Sequence, residues 1–170
     1  MIFKCRSHGA AAVLLATAGF VGAASAQIPE PVAAKGEAVV LEVHAQGAQI
    51  YECKAGAAGA LAWQFREPVA SLFKGGKTVG RHYAGPTWED ADGSAIIAKV
   101  AGRAPGASAK DIPLLKREVT ERRGSGVLKD VSAVQRLNTK GGVMEGACQN
   151  AGELLSVPYS ADYVFLRKGS

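Results

Sequence analysis

Leu61-Ala62-Trp63-Gln64-Phe65-Arg66 alternates large apolar side chains with small or polar ones. Successive side chains of an extended chain point to opposite faces, so this stretch predicts a strand with Trp63 and Phe65 on one buried face, ended by Pro68. Upstream, Val39, Leu41 and Val43 alternate with Glu42 and His44, and Gly47 separates that run from Gln49-Ile50-Tyr51-Glu52-Cys53. An opening hairpin is the expected result. Downstream, residues 78–83 and 86–89 read as short strands, and Asp90-Ala91-Asp92-Gly93-Ser94 is a turn leading to Ile96, Ala98 and Val100, which predicts a second hairpin. Residues 112–120 read as another strand. Val127, Val131 and Val134 recur at helical spacing, but β-branched residues dominate the segment and predict a strand there too. Tyr163 and Phe165 alternate with Asp162, Val164 and Leu166 in a closing strand. With no internal repeat and glycines at the expected turns, the chain reads as all-β: an antiparallel sandwich or barrel, one domain, with short turns and at most one short helix.

Residues 1–26 read as an export signal. Lys4 and Arg6 precede an apolar run from Gly9 to Ala23, and Ala24-Ser25-Ala26 is a small-x-small cleavage site. The expected mature chain starts at Gln27. Removing 26 of the 170 residues leaves 144, near the usual size of one domain. Residues 27–36, with two prolines and no periodicity, read as a flexible tether before a β-rich domain over 37–170. The apolar run is short for a bilayer span, and no second one follows. A periplasmic or extracellular location is expected, with an Ala/Gly-rich composition suggesting a bacterial source.

Cleavage removes Cys5 and leaves Cys53 and Cys148. In an oxidising compartment this even pair predicts a disulfide; free thiols or a metal pair are the alternatives, and two mature histidines without a CxxC argue against zinc. The leader carries Lys4, Arg6 and no acid, so its loss lowers the formal charge from +5 to +3. Residues 116–123 are basic but interleaved with Glu118 and Glu121, which reads as a solvated face and excludes a phosphate-tracking stripe. No nucleic-acid partner is expected.

The blocks Gly47-Ala48-Gln49-Ile50-Tyr51-Glu52-Cys53, His82-Tyr83-Ala84-Gly85-Pro86-Thr87-Trp88-Glu89 with Asp92-Gly93-Ser94, Gln135-Arg136-Leu137-Asn138-Thr139-Lys140-Gly141-Gly142, and Val157-Pro158-Tyr159-Ser160-Ala161-Asp162-Tyr163 occur in this order across essentially all of the mature chain. In order and spacing they resemble the domain-of-unknown-function 3455 family of exported bacterial and fungal proteins. The resemblance implies export and assigns no reaction.

Chemically capable side chains are densest around His82, a possible base or ligand, with Tyr83 and Trp88 able to stack on a flat substrate and Glu89 nearby. The competing reading is a strand corner with core aromatics, and it is favoured. Arg136, Asn138 and the Gly141-Gly142 pair could clamp a carboxylate or phosphate, or simply end a strand. Tyr159 and Asp162 could contact a ligand at a sheet rim or satisfy backbone donors. Asp90-x-Asp92 lacks the glycine and carboxylate a calcium loop needs at its sixth and twelfth positions, which hold Ala95 and Ala101. No GxSxG elbow is present, and both mature cysteines are assigned to the disulfide. The sequence therefore predicts an exported, non-catalytic binding or structural protein of the cell envelope, engaging a small molecule or envelope component and needing no cofactor or metal. The alternative is a hydrolase-type enzyme using His82 with Glu89 or Asp162.

Overall fold

The computed structural model describes residues 27–57 and 59–169, so the leader expected at 1–26 lies outside the described residues. Eight strands follow in chain order: β1 (Glu37–Ala55), β2 (Leu61–Lys74), β3 (Lys77–Tyr83), β4 (Thr87–Asp90), β5 (Ala95–Ala104), β6 (Leu114–Arg123), β7 (Ala133–Gly141) and β8 (Leu154–Lys168). Each pairs antiparallel with the next, and β8 returns to pair with β1. The sheet is therefore a closed up-and-down barrel, one of the two all-β architectures expected, and closure gives every strand a partner on both sides over part of its length. Helical structure among the described residues is one 3-10 turn at Glu30–Val32. None of it is long and apolar enough to cross a membrane.

The expected hairpin at Gly47 is absent. β1 runs without a break through that residue, pairing with β2 on one side and β8 on the other. A Cβ at position 47 would collide with the Val69 carbonyl and with Ala70. The glycine is there because the neighbouring strand passes too close for any side chain, a second reason for glycine in a strand besides a turn.

β1 carries Leu41, Val43 and Ala45 into the barrel near its start and Gln49, Tyr51 and Cys53 near its end. One end of the barrel, here called the lower end, is filled by Trp88, Ile96, Phe165 and their neighbours. It is closed by the segment between β6 and β7. Residues 127–132, expected as part of a strand, instead form tight turns, with Lys129 N–H donating to the Gly126 carbonyl and Val131 N–H to that of Leu128. Leu128 and Val131 are driven into the core three residues apart. The Asp92 carboxylate ties this plug to the β4–β5 turn, accepting from Val127 N–H at 2.7 Å and from Ser94 N–H at 2.8 Å. Asp92 is thus a structural turn residue.

The stretch expected as a tether is docked on the outer face. Val32 is 0% exposed against Ala104, Ala133, Leu137, Val164 and Leu166. Gln135 donates to the Val32 carbonyl and Lys116 to that of Ala33. Burying one valine stabilises by about 1.5–3 kcal/mol, and the two hydrogen bonds act together with it against the cost of ordering the segment. The prolines that suggested flexibility sit at the start of the 3-10 turn, where their fixed φ helps it form.

Trp63 and Phe65 also depart from expectation. Both lie on the β1–β2 ribbon above the barrel proper, Trp63 opposite Cys53 and Phe65 opposite Tyr51. Trp63 is half-buried and Phe65 is 54% exposed. Their alternation marks a strand correctly, but the face they share opens onto the barrel mouth. At the same end, the Cys53–Cys148 disulfide is formed, with Cα atoms 5.9 Å apart, and it fastens the β7–β8 loop to β1.

Candidate functional site

Strand directions alternate, so four connections meet at the upper end: β1–β2, β3–β4, β5–β6 and β7–β8. Between them the barrel opens into a cavity of about 560 Å³. Its walls combine residues of these connections with inward-facing residues from the upper halves of the strands, among them Gln49 and Tyr51 on β1, His82 on β3, Arg103 on β5, Arg117 on β6 and Arg136 on β7.

Register explains the arginines. Leu115 of β6 stands opposite both Arg103 of β5 and Arg136 of β7, and Arg117 stands opposite Val134. Paired residues share a face, so three guanidinium groups project inward from three adjacent strands. Arg136 donates from Nε and Nη2 to the Pro113 carbonyl at 3.0 and 2.9 Å. Arg117 donates from Nη1 to the Ala98 carbonyl at 3.2 Å and lies 5.9 Å from the Trp88 ring centroid. Burial pushes the Arg117 pKa down to about 10, and the Arg136 and Arg103 charges push in the same direction. It remains charged at neutral pH. Salt bridges elsewhere engage Arg66, Arg81 and Arg123, but among the described residues none engages Arg103, Arg117 or Arg136.

His82, 3% exposed, stacks on Trp88 with centroids 4.2 Å apart and planes at 11°. Its Nδ1–H donates to the Thr87 carbonyl at 2.8 Å. Desolvation drives its pKa down to about 3, against the opposing effect of the Thr87 hydrogen bond, so the ring is neutral. Tyr159 and Tyr163 line the same interior, their hydroxyls 3.5 Å apart, and burial pushes the Tyr159 hydroxyl up. Tyr51 donates to the Gly142 carbonyl at 2.7 Å. The Gln49 amide nitrogen is buried without a hydrogen-bond partner.

The eight side chains singled out from sequence divide between the two faces. His82, Trp88, Arg136 and Tyr159 point inward. Tyr83, Glu89, Asn138 and Asp162 point outward and form two surface clusters. In one, Glu89 accepts from Tyr83 at 2.7 Å, Arg81 at 3.0 Å and Arg123 at 2.8 Å. In the other, Asp162 bonds to His44 Nδ1 and to Asn138 Nδ2, each at 2.8 Å. The residues on either side of a strand step cannot share a face. The alternative pairing of His82 with Glu89 or Asp162 is therefore not assembled, which removes the basis for that hydrolase reading. Among the described residues no group of three or more His, Cys, Asp or Glu is placed to hold a metal ion.

Sequence reasoning missed Arg117, Arg103 and Gln49 as cavity residues. A signal for Arg117 exists: it sits between Leu115 and Val119 on the apolar face of β6, where a charge has to be accommodated inside.

The chain belongs to the DUF3455 family, described as a protein of unknown function, whose model matches residues 33–78 and 73–167. No curated protein and no solved structure matches it.

Proposed function

We propose that this chain is an exported, non-catalytic binding protein that takes a small molecule into the upper mouth of its barrel, working in the periplasm or outside the cell. The observation that carries this reading is the asymmetry of the interior. The lower end is plugged by Leu128 and Val131, while the upper end holds a cavity of about 560 Å³ with polar side chains on its walls. That volume falls within the range of about 300–1,000 Å³ common for small-molecule sites, and eight-stranded barrels enclose just enough room for one such ligand. The disulfide and the leader support export. Separation of His82 from every candidate carboxylate partner supports a binding role over a hydrolytic one.

The test uses two fluorescent probes of one ring system, N-phenyl-1-naphthylamine and 8-anilinonaphthalene-1-sulfonate. At least one should bind saturably at one site per chain. Ala109→Trp, at an exposed rim position facing the cavity, should abolish that binding while leaving the melting temperature within a few degrees of wild type. Failure of both probes to bind, or binding indifferent to the Trp plug, refutes the reading.

A further inference from the structure

We infer that the ligand is an organic anion, its carboxylate, phosphate or sulfonate head held between Arg117 and Arg136 with the Gln49 amide as a further donor. This rests on the binding role proposed above and specifies the chemistry of the same mouth.

Three observations converge. First, Arg117 and Arg136 are diagonal neighbours on the inner face of β6 and β7, the closest arrangement adjacent strands allow without direct pairing. Like charges so placed repel, and buried charges are ordinarily matched by an opposite one. Second, both guanidiniums keep free donors. A guanidinium has five N–H groups. Arg136 leaves Nη1 uncommitted and Arg117 leaves Nε and Nη2, since each is otherwise anchored to a backbone carbonyl. Anchoring of this kind fixes the fork in advance, which suits bidentate recognition of a planar or tetrahedral anion. Third, Gln49 is 3% exposed, faces the same cavity and has an amide nitrogen with no partner. Donors left unsatisfied in a buried site need an acceptor, and an anion serves all three groups at once.

Acids on the cavity wall do not fill this role. Asp111 is occupied by the Ser108 N–H and hydroxyl and by the Gly141 N–H. Glu145 is exposed on the β7–β8 loop. The body of the ligand meets an apolar rim, where Tyr51 and Phe65 pack edge to face with centroids 5.9 Å apart. An aromatic or aliphatic acid, or the corresponding phosphate ester, fits both halves.

The two probes named above differ by one sulfonate, which makes them the test. Wild-type protein should bind the sulfonate dye at least about tenfold more tightly than the neutral one, a gap of about 1.4 kcal/mol. Arg117→Gln and Arg136→Gln should each shrink that preference to less than about threefold. Relief of repulsion is set against loss of the hydrogen bonds to the Pro113 and Ala98 carbonyls, so the melting temperature and far-UV circular dichroism of each variant are measured beside the titration, and a preference lost with wild-type secondary structure and a cooperative transition retained is not lost folding. Benzoate and phenyl phosphate should displace the dye, and the one effective at lower concentration identifies the head as carboxylate or phosphate. Equal affinity for the two dyes, or a preference surviving both substitutions, overturns the anion inference and leaves the binding role standing. Binding of neither dye overturns both.

Discussion

Acidification from pH 7 to pH 5 should weaken the barrel through His82. In the folded chain this imidazole is neutral, with its pKa lowered from 6.5 to about 3, chiefly by desolvation. An unfolded chain restores the ordinary value, so below pH 6.5 the unfolded state takes up a proton that the folded state refuses. Stability is therefore present in full above pH 6.5, falls as pH drops, and stops falling near pH 3. At about 1.4 kcal/mol per pH unit, the loss between pH 7 and pH 5 is about 2 kcal/mol. Carboxylates do not confuse this window. Glu89, Asp92 and Asp111 are held below their usual values, first of all by hydrogen bonds from Tyr83, Ser94 and Gly141 respectively. Their stabilising effect is lost only as pH falls through and below the ordinary carboxylate range. The control is His82→Asn, which keeps an N–H for the Thr87 carbonyl and cannot ionise. Urea denaturation followed by tryptophan fluorescence gives the unfolding free energy of both proteins at both pH values. Wild type should lose about 2 kcal/mol more than the variant. Parallel losses, within about 0.5 kcal/mol of each other, would refute the reasoning, because a histidine that can protonate in place is not sealed in the barrel.

Breaking the Cys53–Cys148 bridge should be costly, since it closes 95 positions of sequence; the chain-entropy model gives roughly 4–5 kcal/mol, and a Cys53→Ala, Cys148→Ala double variant whose melting curve matches wild type would contradict a structural role. Trp88→Ala, at the centre of the aromatic cluster with Tyr163 and Phe165, should cost roughly 3–5 kcal/mol, whereas Phe65→Ala at the exposed rim should stay within about 0.5 kcal/mol; similar costs for the two in chemical denaturation would count against the assignment of lower core and open mouth. N-terminal sequencing of protein recovered from outside the cytoplasm should begin at Gln27, and a product that retains Met1 would rule out processing at the Ala24-Ser25-Ala26 site.

Much of the strand content was legible because alternation is a local property. The strand expected at 86–89 and the runs around Ile96 and Tyr163 became β4, β5 and β8, with the turn Asp90-Ala91-Asp92-Gly93-Ser94 joining the first two. Errors came where one residue type serves two physical ends. Gly47 looked like a turn, yet its lack of a Cβ admits a neighbouring strand. Val127 and Val131 looked like strand residues, yet the spacing of Leu128 and Val131 reflected a plug turned into the barrel's lower end. Closure itself rests on β1 pairing with β8 from the far end of the chain, a non-local contact that period-two alternation cannot distinguish from sandwich packing.

The candidate side chains fall on two faces because they lie in blocks of consecutive residues. Applied one step further, alternation would have separated His82 from Tyr83 and Trp88 from Glu89. The same rule, combined with strand direction, uncovers the mouth. β1, β5 and β7 run upward, and their inward residues change from Leu41 and Val43 to Gln49, from Ile96 and Ala98 to Arg103, and from Val134 to Arg136. β6 runs downward, and there Arg117 precedes Val119, with Leu115 above it on the same face. Polar side chains thus enter the interior toward the same end on four strands, β1, β5, β6 and β7, whichever way the chain travels. Core packing alone would favour apolar residues along the whole interior, because each buried polar group needs a partner. The meeting of polar side chains from distant parts of the sequence at one end supports the proposed binding of a small molecule there, and the positive charge of Arg103, Arg117 and Arg136 supports the inferred anion.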